Sequence, residues 1–264
     1  MTAGLDANRF ASEGYAVIGG PEIAAAKAEA TAALTDMAAF ISRRVLGEAR
    51  GETLGDLLAH MNAAETDRAA TRACYEVFPT VPEVIALING SAFKQAARAA
   101  GLARPCAGTN PLIRLDRPRD TKFSTPAHQD WWYSMLSERA VVIWTGLGPV
   151  DPEMGPVEVI PGSHQNGVAA FRPYEAGHEW FECATPPPDS AFVATAPGPD
   201  EAVVFDQRLI HRSGANRSTR IRVSVQLRYN DLETAAAMTS TFTPSLSRWV
   251  IERQKAALET GAAS

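Results

Sequence analysis

The sequence predicts a mainly β protein with flanking α-helices, in which a β-sandwich or jelly roll is wrapped by helices from both ends of the chain. The first hundred residues show helical periodicity, whereas residues from about 110 to 231 form short apolar runs separated by turn residues. Strands without intervening helices are typical of antiparallel sandwiches and barrels. We therefore expect one domain over 1–264, with a helical part (1–105), a β core (106–232) and a helical tail (233–264).

Alanine-rich segments with apolar residues at helical spacing predict the helices. The longest begins at Pro21, which suits the first position of a helix, and ends at Gly47. The predicted helices cover, in chain order, 21–47, 54–61, 80–90, 91–101 and a tail segment around 246–253.

Six apolar runs predict the strands of the core: Pro111–Leu115, Val141–Leu147, Pro156–Ile160, Ala191–Ala194, Ala202–Phe205 and Ile221–Tyr229. The last run alternates strictly, so that Arg222, Ser224, Gln226 and Arg228 share one face. This polar face is either solvated, as in an ordinary sandwich strand, or turned into the barrel. In the second case Arg222 and Ser224 could bind a dicarboxylate.

The composition excludes several classes of protein. Hydrophobic residues make up 45% of the 264 positions and charged residues 21%, which favours a folded core over disorder. A net charge of −5 offers no basic footprint for nucleic acid, and no apolar stretch reaches the roughly 20 residues of a membrane helix. With three cysteines, no CxxC pair and no secretory signal, we expect a cytoplasmic protein without disulfides. The oligomeric state is not indicated.

Two of the five histidines are candidate metal ligands. His128 and Asp130 form an HxD triplet, and on an extended strand their side chains would point to the same face. A distant histidine would complete a facial triad of the kind that holds non-haem Fe(II). The triplet alone is more often structural, but His211 changes this weighting because it precedes the Arg222–Ser224 pair. His164 competes as the third ligand by residue type, yet no Arg-x-Ser strand follows it, so we expect a structural role.

Taken together, these motifs resemble the phytanoyl-CoA dioxygenase family of Fe(II)- and 2-oxoglutarate-dependent oxygenases. The matching segments occur in the family's order over roughly residues 110–230: HQD at 128–130, VVIWTGL at 141–147, PGSH at 161–164, HRSGAN at 211–216 and RVS at 222–224.

The resemblance implies a double-stranded β-helix, and it implies a set of site residues. Iron would be held by His128, Asp130 and His211, and the distal carboxylate of the cosubstrate 2-oxoglutarate by Arg222. Ser224 would be a second donor to that carboxylate, and Trp144 would pack beside the cosubstrate. Arg220 lies two residues before Arg222 but falls in the preceding turn if the strand begins at Ile221.

The implied activity is hydroxylation of an unactivated C–H of a small-molecule metabolite, with consumption of O2 and release of succinate and CO2. The carboxylate of Asp130 favours hydroxylation, desaturation or ring formation over halogenation, because related halogenases lack it. A non-catalytic jelly-roll binding protein and a cupin-type metal-dependent isomerase or epimerase remain alternatives.

The sequence indicates the residues that contact the substrate less specifically than the metal ligands. Trp131, Trp132 and Tyr133 follow the HxD triplet and could form a wall of the pocket. Arg114 begins a basic loop that suggests an anionic substrate group, but nearby aspartates offset it, and a solvated loop is slightly preferred. The irregular stretch Gln165–Ser190 is either a lid that closes through Trp180 and Phe181 or a packed loop.

Overall fold

The computed structural model describes residues 4–64, 68–107, 112–120, 124–132, 137–174 and 181–234. The helices within these ranges are α1 (Ala7–Glu13), α2 (Pro21–Leu46), α3 (Leu54–Ala64), α4 (Ala69–Val77), α5 (Pro82–Asn89) and α6 (Ser91–Ala99). The four helices predicted in the N-terminal part are confirmed as α2, α3, α5 and α6. The predicted tail helix lies outside the described residues. None of the helices in the described ranges is long and apolar enough to cross a bilayer.

Local signals fix the bounds of α2. Pro21 occupies its first turn, and Gly47 ends it in the left-handed region (φ 81°) with its N–H bonded to the carbonyl of Arg43. The buried stripe includes Ile23, Leu34 and Ile41. Helices α1 and α4 were not predicted, because α1 buries no residue and α4 buries only small ones.

The strands, in chain order, are β1 (Tyr15–Gly19), β2 (Pro105–Ala107), β3 (Leu112–Asp116), β4 (Ala140–Gly146), β5 (Glu158–Val159), β6 (Phe171–Pro173), β7 (Phe181–Cys183), β8 (Val193–Ala194), β9 (Glu201–Asp206), β10 (His211–Arg212) and β11 (Arg222–Asp231). The larger sheet has the order β1-β9-β4-β11-β2, with β3 also paired to β11, and the smaller sheet has the order β10-β5-β8. All pairings between these described strands are antiparallel. The prediction of a mainly β, jelly-roll fold with flanking helices is confirmed.

Two apolar cores lie on opposite faces of the larger sheet. The helices pack against one face, where Val223, Val225 and Leu227 of β11 are buried. The other face looks toward the smaller sheet, and Trp144, Val159 and Phe205 are buried there. Because successive residues of β11 alternate between the faces, its polar residues point to the interior of the jelly roll. Arg222 is 2% exposed and Ser224 is 0% exposed, so the interpretation of this face as solvated is wrong.

The stretch 165–190 is not irregular throughout, as the sequence suggested. Strands β6 and β7 form an antiparallel pair with Phe171 opposite Cys183. The rings of Phe171 and Phe181 meet edge to face, with centroids 5.0 Å apart. Strands of three residues are too short to show an alternating pattern in the sequence. Trp180 lies outside the described residues.

Gly155 and Gly214 allow the backbone of the HRSGAN segment to pack closely against the backbone around Gly155 and Pro156. A Cβ on Gly214 would lie 2.3 Å from the carbonyl oxygen of Pro156, and one on Gly155 would lie 2.4 Å from that of Ala215. These contacts bring the carbonyls of Met154 and Gly214 to the side chain of Arg222.

We expect Gly214→Ala to lower the free energy of unfolding by about 1–3 kcal/mol, because the added methyl group must displace backbone rather than a flexible side chain. Chemical denaturation measures this change. Gly55→Ala is the control: it lies in α3, its Cβ would meet only Thr53 Oγ1 at 3.8 Å, and the change should be neutral or stabilising by up to about 1 kcal/mol. Equal stability of the two variants would contradict the close-packing argument.

Candidate metal centre

His128, Asp130 and His211 converge on one buried point. One ligand atom from each residue lies within 4.8 Å of the others. Nε2 of His128 is 3.8 Å from Asp130 Oδ1, and Nε2 of His211 is 4.0 Å from Asp130 Oδ2. Relative exposure is 4%, 0% and 1% for the three residues in chain order, so all three are buried.

A β-bridge and a turn bring these ligands together. The backbone N–H of His128 donates to the carbonyl of His211 at 2.9 Å, and the reverse bond is 3.0 Å long. The expectation that His128 and Asp130 share a strand face is wrong, because Asp130 begins a 3-10 turn over Asp130–Trp132. The turn is held by the Trp131 N–H, which donates to the carbonyl of Gln207 at 3.0 Å.

Backbone carbonyls fix the orientation of both imidazole rings. Nδ1 of His128 lies 2.7 Å from the carbonyl oxygen of Pro126, and Nδ1 of His211 lies 3.0 Å from that of Leu209. Since a carbonyl can only accept, each Nδ1 carries the hydrogen and each Nε2 keeps its lone pair. Nε2 of His211 is buried without a hydrogen-bond partner, as expected of a group that awaits a cation.

The pKa values keep this cluster in its metal-binding protonation state. Burial, followed by the neighbouring His211, lowers the pKa of His128 to about 3, and burial also lowers the pKa of His211. Burial alone would raise the pKa of Asp130, but Arg228 and the two histidines outweigh it and lower this pKa to about 2. Near neutral pH the site therefore offers two neutral imidazoles and one carboxylate.

Arg228 is a site residue that the sequence analysis did not assign. Its Nη2 donates to Asp130 Oδ1 at 3.1 Å and its Nε to Oδ2 at 3.4 Å. The signal was available, because the alternation of β11 places Arg228 on the same face as Arg222. What was missing was the position of Asp130 in three dimensions.

A pocket adjoins the two histidines. Its lining contains the predicted residues Trp144, Arg222 and Arg114, and further residues to which the sequence analysis assigned no role: Thr125, Val157, Arg212, Ser213 and Gln226. The prediction that Arg114 belongs to a solvated loop is wrong, since its side chain is 12% exposed and lines this pocket.

Arg222 is held firmly but keeps unused donor capacity. Its Nη2 pairs with Asp116 at 2.7 Å, and its Nη1 donates to the carbonyls of Met154 (3.0 Å) and Gly214 (3.4 Å). Its Nε is buried with no hydrogen-bond partner, and so is the hydroxyl of Ser224. Two buried donors without acceptors on one strand face fit an anionic ligand.

Asp116 balances the charge of two arginines. It pairs with Arg222 and also with Nη2 of Arg114 at 2.9 Å. Burial alone would raise its pKa, but Arg222 and Arg114 lower it. The trio therefore carries one net positive charge, which equals the charge needed to neutralise a single carboxylate.

Arg220 is not part of this pocket. It forms a surface ion pair with Asp151 and its side chain is 52% exposed. Its carbonyl accepts a hydrogen bond from Asn216 Nδ2 at 2.7 Å, and the same amide donates to the carbonyl of Asp116 at 2.9 Å. The asparagine of the HRSGAN segment thus ties the turn before β11 to β3.

The aromatic residues after the triplet have other contacts. Trp131 stacks under the guanidinium of Arg208, 4.6 Å from its ring centroid. Trp132 is buried and packs against Phe171 of the β6–β7 hairpin at 5.2 Å. Neither tryptophan is among the described residues that line the pocket. Tyr133 lies outside the described residues.

His164 has a structural environment. It lies in the 3-10 turn Ser163–Asn166, its Nε2 is 3.2 Å from the carbonyl oxygen of Ala11, and it packs against Gly14. It is not a member of the metal-type cluster among the described residues.

The metal-free protein should lose stability as pH falls from about 6.5, because the folded pKa of His128 (about 3) lies below the usual value and the unfolded chain binds more protons in this window. The part due to His128 is about 2 kcal/mol between about pH 7 and pH 5. Urea unfolding at several pH values gives the slope of the free energy of unfolding against pH for the chelator-treated wild type and for His128→Gln. The variant should show the shallower slope. Equal slopes would contradict a buried, neutral His128.

Comparisons with known proteins show the family and the fold to which this chain is similar. The model of the phytanoyl-CoA dioxygenase family (PhyH) matches residues 10–224. Among solved structures, the nickel complex of the non-haem monooxygenase ThoJ is 15% identical, with 84% of this chain and 76% of that chain covered and a TM-score of 0.55. EvdO2 from Micromonospora carbonacea var. aurantiaca is 19% identical, with 85% and 89% covered and a TM-score of 0.51.

A structure of EvdO2 complexed with 2-oxoglutarate is 20% identical, covers 85% of this chain and 89% of that chain, and has a TM-score of 0.50. The comparison with curated proteins found no match. At these identities the solved structures support the fold, whereas the family match spans most of the chain, including the HxD triplet, His211 and the Arg222–Ser224 pair. This protein belongs to the phytanoyl-CoA dioxygenase family.

Proposed function

We propose that this protein is an Fe(II)- and 2-oxoglutarate-dependent dioxygenase that hydroxylates an unactivated C–H of a small-molecule metabolite. One observation carries the proposal: a buried two-histidine, one-carboxylate cluster opens on a pocket that also contains Arg222 with an unsatisfied donor. A cupin-type isomerase has no need for Arg222, and a binding protein has no need for the cluster. The three cysteines form no disulfide, which favours a cytoplasmic location.

His128, Asp130 and His211 would hold the iron, and their Nδ1 and carboxylate partners keep the ligand atoms oriented. When bound, the iron supplies the activation of O2 that converts 2-oxoglutarate to succinate and CO2 and oxidises the substrate. The protein would contribute three ligands to the ion, which would leave room on it for the cosubstrate.

Arg222 and Ser224 would bind the distal carboxylate of 2-oxoglutarate. Arg222 Nε and Ser224 Oγ are the buried donors without partners, and the trio of Arg114, Asp116 and Arg222 carries the one positive charge that this carboxylate requires. Trp144, 5.9 Å from the guanidinium of Arg222, walls the pocket beside it. The low exposure of these groups keeps water from competing for the anion.

The direct test is anaerobic addition of Fe(II) and then 2-oxoglutarate to the metal-free protein. Chelation of the keto acid on a facial-triad iron should give a weak visible charge-transfer band. With air and a pool of candidate metabolites, succinate should form and an oxygen atom from O2 should enter the product. Absence of the band, with both components shown to be present, would overturn the proposal.

We expect His211→Ala to weaken Fe(II) binding by more than about 100-fold, because changes in groups that merely orient metal ligands already cost about 10–100-fold. Anaerobic Fe(II) titration and thermal unfolding should be measured together. The control is His164→Ala, which removes a histidine that contacts the backbone of α1. Loss of iron in the control and not in His211→Ala would show that the wrong histidine was assigned.

Arg222→Ala should weaken 2-oxoglutarate binding by about 2–5 kcal/mol, or roughly 30- to 5000-fold, because a charge-assisted contact to a buried carboxylate is lost. Arg220→Ala is the matched control on the same segment, since its partner is the surface residue Asp151. Titration of the Fe(II)-loaded proteins with the keto acid compares them. Equal losses in the two variants would refute the assignment of Arg222.

A further inference from the structure

The contact between Arg228 and Asp130 involves both carboxylate oxygens. Nη2 of Arg228 donates to Oδ1 at 3.1 Å and Nε donates to Oδ2 at 3.4 Å, so the guanidinium lies along one edge of the carboxylate. The side chains are 15% and 0% exposed. Among the described residues, Asp130 is the only anion within ion-pair distance of Arg228.

Arg228 is also held from its other side. Its Nη2 donates to Gln226 Oε1 at 3.1 Å, two residues earlier on the same face of β11. Because a guanidinium only donates, the amide oxygen of Gln226 must face it. The backbone at Arg228 is fixed as well, since β11 pairs it with Val142 of β4 inside the larger sheet. Arg228 is therefore a rigid element and not a mobile surface side chain.

We propose that Arg228 is a positioning residue that limits Asp130 to a single bond with the metal. A carboxylate can bind a cation through one oxygen or through both. A metal bound by both oxygens of Asp130 would have to lie along one edge of the carboxylate. The guanidinium of Arg228 already occupies that edge.

The consequence is an open coordination position. Two imidazoles and one carboxylate oxygen use three of the six positions of an octahedral ion. A chelating keto acid uses two more, and one remains for O2. If both oxygens of Asp130 bound the metal, the keto acid and O2 would compete for the two positions left. Arg228 thus favours binding of the cosubstrate, at the cost of a lower affinity of the site for the metal.

This inference rests on the proposed function, and the test separates the two. In Arg228→Met, Asp130 is a buried carboxylate without its counter-charge until metal binds. Fe(II) should therefore bind at least as tightly as in the wild type and raise the melting temperature by more. Binding of 2-oxoglutarate to the Fe(II) form should weaken at least tenfold, and the charge-transfer band should lose intensity or shift.

Two further variants should weaken 2-oxoglutarate binding by smaller amounts than Arg228→Met. Arg228→Lys keeps the charge but cannot span both oxygens, so 2-oxoglutarate binding should fall between the wild type and Arg228→Met. Gln226→Met leaves the Asp130 contact but removes the second support of Arg228, and it should give a smaller change in the same direction. The Arg220→Ala variant, on the surface, should match the wild type in both titrations.

Three outcomes would overturn the inference. The first is unchanged keto-acid affinity and an unchanged band in Arg228→Met. The second is a parallel loss of Fe(II) and 2-oxoglutarate, which indicates a merely structural role. The third needs no variant: a crystal structure of the wild type with Fe(II), grown without oxygen, that shows both oxygens of Asp130 on the metal. A wild type that gives no band with Fe(II) and 2-oxoglutarate would instead refute the proposed function.

Discussion

The site depends on one constraint: two interior aspartates, Asp130 fully buried and Asp116 13% exposed, must each be paired with an arginine of β11. Asp116 pairs with Arg222 and Asp130 with Arg228, and all four side chains have little or no exposure. An unpaired charge in this interior would be strongly destabilising. The pairs therefore fix where β3 and the His128–Asp130 turn can sit, because each must deliver its carboxylate to a guanidinium whose position is set by the larger sheet. Strand β11 thereby positions both Asp116, beside Arg222, and Asp130 of the candidate metal cluster, beside Arg228.

The helices make this polar interior possible. Strand β11 turns Val223, Val225 and Leu227 toward the helical layer, and the burial of these side chains supplies the free energy that holds the strand in place. A one-residue slip of β11 would bury the arginines among the helices and turn the valines into the pocket, so the register is strongly specified. The N-terminal segment contributes twice, since it provides the helices and also β1, which pairs with β9 from Tyr15↔Phe205 to Gly19↔Glu201.

Local patterns in the sequence predicted the fold class, the helices α2, α3, α5 and α6, and the candidate site residues His128, Asp130, His211 and Arg222, because helical spacing, strand alternation and short motifs are properties of neighbouring residues. Pairings across the chain were beyond such patterns. Asp116 opposes Arg222 only through the register of β3 with β11, and Arg228 meets Asp130 over 98 positions of sequence. For the same reason β1 was not predicted, because its pairing partner β9 is distant in the sequence. Trp132 was assigned to a pocket wall, but the hairpin that it packs against consists of strands too short to detect.

The histidine bridge links the metal cluster to the fold in a further way. His128 and His211 lie 83 positions apart, and each orients its ring through a carbonyl two residues before it while their backbones exchange two hydrogen bonds. The two rings therefore lie close together, with centroids 4.1 Å apart, and each contributes a ligand atom to the cluster with Asp130. Since His211 begins β10, and β10 pairs with β5 of the smaller sheet, the bridge joins the turn that carries Asp130 to that sheet. Asp130 in turn contacts β11 of the larger sheet through Arg228. The candidate metal cluster therefore lies where the two sheets of the jelly roll are joined, so the residues that form it also contribute to the packing between the sheets.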